Sequence, residues 1–165
     1  MSLIRLTLLA SFLAWSAHAE ESGTMRAAEA GVSPGFCSAL QVIVGAAPAG
    51  FVTLRGPAQH GGEHVWQGTR RLSAGGGCLV FGGKPPAYMC TLYAGDDEDN
   101  ADGAYDRAVA AVKDCLAGTW KATENVTGLH VRTTLATGPG ATVIRVVSHD
   151  VSGDAWLVEL WIDAS

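Results

Sequence analysis

The chain has 165 residues, of which 48% are hydrophobic and 16% charged, with a formal net charge of −5. That length fits one domain, and an apolar content this high with so little charge excludes wholesale disorder. The acidic balance excludes the basic footprint of a nucleic-acid binder and gives no electrostatic hold on an anionic membrane surface.

Residues 1–19 read as a secretory signal peptide. Arg5 supplies the positive start, Leu6 to Trp15 the apolar stretch, and Ala17-His18-Ala19 a small-x-small cleavage site. The apolar run is shorter than the roughly 20 residues that cross a bilayer as a helix, and no other run is apolar enough for a membrane span. Cleavage following Ala19 delivers a chain that starts at Glu20 to the periplasm or the medium. Residues 20–32 are small or polar and read as a flexible leader. Residues 33–165 read as a single α+β domain.

Ser33-Pro34 marks a helix start, since Ser caps and Pro is tolerated in the first turn. Phe36, Leu40, Ile43 and Ala47 follow at helical spacing, and Pro48 with Gly50 ends the helix. Phe51 to Arg55 reads as a short strand broken by Gly56-Pro57, and residues 64–67 as a second. Cys78 to Phe81 and Tyr88 to Tyr93 form a hairpin around a turn-rich Gly-Pro stretch. Residues 95–103 (GDDEDNADG) read as an acidic loop. A second helix is predicted over Ala104 to Ala117, with Asp102 as its N-cap and Gly118 as its stop. Residues 129–163 read as a three-stranded meander, with Trp156, Val158, Leu160 and Ile162 on one face of the last strand and Leu157, Glu159 and Trp161 on the other.

These elements predict two helices packed on one face of a mainly antiparallel sheet of five to seven strands. The helix–strands–helix–strands order is similar to that of secretion-chaperone-like domains in architecture alone, with no motif that names a family. The sequence contains no internal repeat.

Four cysteines in an exported chain predict two disulfides. A symmetric hairpin sets Cys78 opposite Cys90, which leaves Cys37 and Cys115 to join the two helices. Cys90–Cys115 with Cys37–Cys78 stays open on spacing alone. No C-x-x-C pair is present, so the spacing does not favour zinc.

Two segments hold metal-ligand residue types. Glu98, Asn100, Asp102 and Asp106 stand at offsets that an EF-hand loop uses for oxygen ligands, but Val109 occupies the position of the bidentate glutamate, so only weak Ca²⁺ binding follows. His60 and His64 lie within a Gly-rich loop and need further ligands from elsewhere to hold Zn²⁺ or Cu²⁺. His130 and His149 are candidates if the fold brings them near. Ser148-His149-Asp150 has triad residue types, but neighbours on a strand face opposite ways. No nucleophile elbow, phosphate loop or dinucleotide fingerprint is present.

The expectation is therefore a non-enzymatic domain that binds another protein, as an inhibitor, immunity or chaperone-like module, and needs no cofactor. Leu157 and Trp161 are its candidate contact residues, because a helix layer on one side of the sheet leaves them outside the core. The alternative is a weak divalent-metal module at the acidic loop or the His pair.

Overall fold

A computed structural model describes residues 33–60, 62–126, 131–152 and 155–164. The proposed signal peptide and leader lie outside the described residues, as does His130.

Helix α1 (Phe36–Ala46) buries Phe36, Leu40 and Ile43 along one stripe. Its N-cap is Gly35 rather than Ser33, and Gly50, with a φ of +63°, closes the turn that follows it. Four strands come next: β1 (Arg55–Ala58), β2 (Val65–Gly68), β3 (Cys78–Phe81) and β4 (Ala87–Gly95). Helix α2 (Glu98–Cys115) precedes four more: β5 (Lys121–Val126), β6 (Val131–Thr137), β7 (Val143–Asp150) and β8 (Trp156–Asp163).

All eight strands form one antiparallel sheet, in the order β1-β2-β3-β4-β8-β7-β6-β5. Each half of the chain is thus a helix followed by a four-stranded meander, and the halves meet where β4 pairs with β8. The architecture repeats although the sequence does not. α2 lies over β4, β7 and β8, and α1 packs against α2.

Three expectations are corrected. The sheet has eight strands, not five to seven. The strand missed by sequence is β5, whose residues Lys121 to Asn125 are all exposed, so it carries no period-2 apolar signal. The predicted strand over Phe51 to Arg55 is a 3-10 turn at Val52–Leu54, and β1 begins only at Arg55 and runs through Gly56-Pro57. Proline is tolerated there because β1 is an edge strand, where a missing N–H breaks no ladder.

α2 also starts earlier than predicted. Its N-cap is Asp97, whose Oδ1 accepts from the Asn100 backbone N–H at 2.7 Å, and Glu98 and Asp99 occupy the first turn. Carboxylates there interact favourably with the helix dipole. Ala101 is fully buried and extends the stripe of Ala104, Tyr105, Ala108 and Val112 by one turn. The run read as an acidic loop is therefore mostly helix. Small alanines along this stripe let the helix axis approach the sheet closely.

The core lies between the helices and the inner face of the sheet, where Tyr88, Ile144, Val146, Val158, Leu160 and Ile162 are buried. Cys78 stands opposite Cys90 in the β3–β4 register and is disulfide-bonded to it, while Cys37–Cys115 ties α1 to α2.

Candidate functional site

The helices cover one face of the sheet. On β8 the burial alternates: Trp156, Val158, Leu160 and Ile162 are buried, and Leu157, Glu159, Trp161 and Asp163 on the opposite face are half-buried. β7 repeats the pattern, with Ser148 in the core and His149 outside. The register sets Trp161 beside Met89 of β4 and Arg145 of β7.

Trp161 is the centre of this open face. Phe81 stacks on its ring at 5.5 Å between centroids and 19° between planes. The Arg145 guanidinium lies 5.3 Å from the same ring. Arg145 in turn makes two bonds to Asp163, Nε to Oδ2 at 2.8 Å and Nη2 to Oδ1 at 3.1 Å. The indole Nε1 of Trp161 donates to Glu159 Oε2 at 3.0 Å. His149 Nε2 is 3.8 Å from that oxygen and makes no hydrogen bond.

Leu157 and Trp161 are thus on the face expected of them, but they are half-buried rather than protruding. Among the described residues the exposed large apolar side chains are Val42, Val52 and Val151. On so wide a sheet each outward side chain shields its neighbours. The Phe81 stack joins β3 to β8, distant in sequence, so only the tertiary structure reveals it, while the Arg145–Asp163 pair spans the consecutive strands β7 and β8.

An acidic run follows the end of β4. Ala94 pairs with Leu157 and Gly95 with Trp156, and the chain then runs directly into exposed Asp96, Asp97, Glu98 and Asp99.

The candidate calcium ligands are not brought together. Glu98, Asn100, Asp102 and Asp106 all lie on α2, where nine consecutive residues rise about 12 Å, and oxygens spread that far do not converge on one ion. Asp102 and Asp106, one turn apart, instead receive Arg132 of β6 at 3.1 and 3.0 Å, and Glu124 of β5 joins them at 3.3 Å. The Arg132 guanidinium also lies 4.3 Å from the Tyr105 ring centre. Burial opposes its charge, but the carboxylates of Asp102, Glu124 and Asp106 outweigh that and raise its pKa above the ordinary arginine value. The cluster braces α2 against β5 and β6.

His60 and His64 are both exposed, in the turns between β1 and β2. His64 has a φ of +67° and its ring lies 6.2 Å from that of Trp66. Among the described residues no three His, Cys, Asp or Glu side chains are grouped for a metal ion.

Surface grooves among the described residues include the following two. One, of about 510 Å³, lies beside the start of α1 and is lined by Ser33, Ser38, Thr69, Arg70 and Arg71. The other, of about 310 Å³, lies between the end of α2 and the β5–β6 pair and is lined by Val112, Lys113, Ala117, Trp120 and Ala122. Neither is lined by a carboxylate, an imidazole or a thiol.

Comparison with known proteins returns no match, whether with family models, curated proteins or solved structures.

Proposed function

We propose that this chain is an exported, non-enzymatic protein-binding domain that takes its partner on the open face of the sheet. The observation that carries this reading is the fixed setting of Trp161, stacked on Phe81, flanked by Arg145 and hydrogen-bonded to Glu159. A large aromatic side chain already held in place loses little conformational entropy on contact, and Trp and Arg are the side chains that dominate protein interfaces. Leu157 and Met89 extend the apolar patch around it.

The exposed acidic run Asp96 to Asp99, which follows the end of β4, favours a partner with basic residues, such as an extracytoplasmic hydrolase or toxin with a basic cleft. The domain then acts as an inhibitor, immunity or chaperone-like protein. Two disulfides suit an oxidising compartment, in keeping with a signal peptide cleaved after Ala19.

The test is a pull-down with the oxidised mature protein from envelope and secreted extracts of its host, with and without a chelator. One stoichiometric partner that survives chelation and is lost on Trp161→Ala, with the fold intact by circular dichroism, is the expected result. A partner bound equally well by Trp161→Ala removes this face from the account.

A further inference from the structure

The two edges of the sheet are unlike. At β1 the edge is blunted, because Pro57 has no N–H to offer and the register is irregular between Arg55 and Ala58. At the other end β5 keeps an unbroken register with β6, from Lys121 opposite Thr137 to Val126 opposite Arg132. Among the described residues β5 has no strand on its other side. Every second residue of this edge therefore presents its N–H and C=O outward.

The 310 Å³ groove meets the helix-facing side of β5 at Ala122, near the start of the strand, with Val112, Ala117 and Trp120 completing its apolar lining. Ala122 faces the same side as the buried Ala136 opposite it. Lys113 lines the groove, and Lys121, next to Ala122 at the start of the strand, stands on the opposite face of the same edge, so that two successive residues of an added strand would face one lysine each. Neither lysine has an ion-pair partner among the described residues, and both stand out in a chain whose net charge is −5.

We propose that the β5 edge and this groove form a strand-addition site for an extended segment of another protein. Backbone pairing with β5 holds the segment, and alternate apolar side chains on its helix-facing side enter the groove. A carboxylate-bearing end lies beside Lys113 and Lys121. A second copy fits less well, since over Lys121 to Asn125 its own β5 brings the small Ala122 and the Arg132-bound Glu124 to the groove side. This site is separate from the face around Trp161 and does not depend on it.

The probe is a short synthetic peptide that alternates threonine and valine and ends in two glutamates, added to the oxidised, ¹⁵N-labelled full chain. The expected result is slower hydrogen exchange at alternate amides of residues 121–126, with chemical-shift changes at Ala117 and the Trp120 indole. N-methylation of every second peptide amide abolishes binding in one frame and spares it in the other, because only one frame donates to the edge. The Lys113→Glu, Lys121→Glu double variant weakens binding about tenfold, and reversing the peptide charges to lysine restores it. Unchanged exchange in β5, equal loss in both frames, or shifts confined to the Trp161 face overturn the proposal. So does concentration-dependent protection of the same amides without peptide, which assigns the edge to a second copy.

Discussion

The indole N–H of Trp161 donates to the carboxylate of Glu159, two positions earlier on the same strand and 3.0 Å away. The bond runs along the outer face of β8 and fixes the rotation of the ring against Phe81. Glu159→Gln keeps an acceptor there and retains partner binding close to wild type. Glu159→Leu leaves the indole free to rotate and lowers affinity about fivefold, or about 1 kcal/mol. Calorimetric titration of the two variants against the captured partner checks this, and equal affinities would show that the pre-set ring is irrelevant.

The two disulfides differ in the loop they close, 78 residues for Cys37–Cys115 and 12 for Cys78–Cys90. Loop-closure entropy assigns about 4.5 kcal/mol to the first and about 3 kcal/mol to the second. Urea unfolding of the paired alanine variants should place C37A/C115A below C78A/C90A by about 1.5 kcal/mol. Cys37 is exposed while Cys78 and Cys90 are buried, so mild reductant followed by alkylation should label Cys37 and Cys115 first.

Arg132 is the cation that three carboxylates share, and those carboxylates are largely solvent-exposed. Arg132→Met keeps an unbranched apolar stem but removes the guanidinium from the Tyr105 ring and leaves Asp102, Asp106 and Glu124 to repel one another. We expect a loss of about 1–2 kcal/mol at low ionic strength, reduced in about 1 M salt. Faster amide exchange should be concentrated in β5 and β6, the strands this residue ties to α2.

Burial raises the phenol pKa of Tyr88, opposed by its bonds with the Arg70 backbone, and raises that of Tyr105, opposed by its bond to Thr134. Both phenols hold their protons more tightly in the folded chain than in the unfolded one. Their contribution is fully present below about pH 10 and is lost as pH rises through the higher native values. Urea midpoints from about pH 8 to about pH 11 should fall, and more shallowly in Tyr105→Phe. An identical slope in that variant would refute the assignment.

Much of the fold follows from local pattern. The stripe Phe36, Leu40, Ile43 makes α1, the alternation from Trp156 to Ile162 makes β8, and the symmetric hairpin aligns Cys78 with Cys90. These signals depend on periodicity within one segment, which the chain carries without reference to its neighbours. The same alternation places Leu157, Glu159 and Trp161 together on one face. What escaped was weakly patterned. β5 is exposed from Lys121 to Asn125 and is held by pairing to β6 and by the bond of Glu124 to Arg132. The start of α2 is disguised by acidic residues that suit a first helical turn as well as a loop.

The sequence by itself determined the α+β class and the face on which Trp161 stands, because each rests on spacing along the chain, and it predicted two disulfides whose pairing the tertiary structure decided. Only the tertiary structure decided that Asp102 and Asp106 serve Arg132, that Phe81 and Arg145 enclose Trp161, and that β5 ends the sheet beside an apolar groove. The Arg132 cluster, the Arg145 contact and the groove join side chains of α2 and β5 to β8 within the second half of the chain, whereas the Phe81 stack exists only once the two four-stranded halves have paired through β4 and β8.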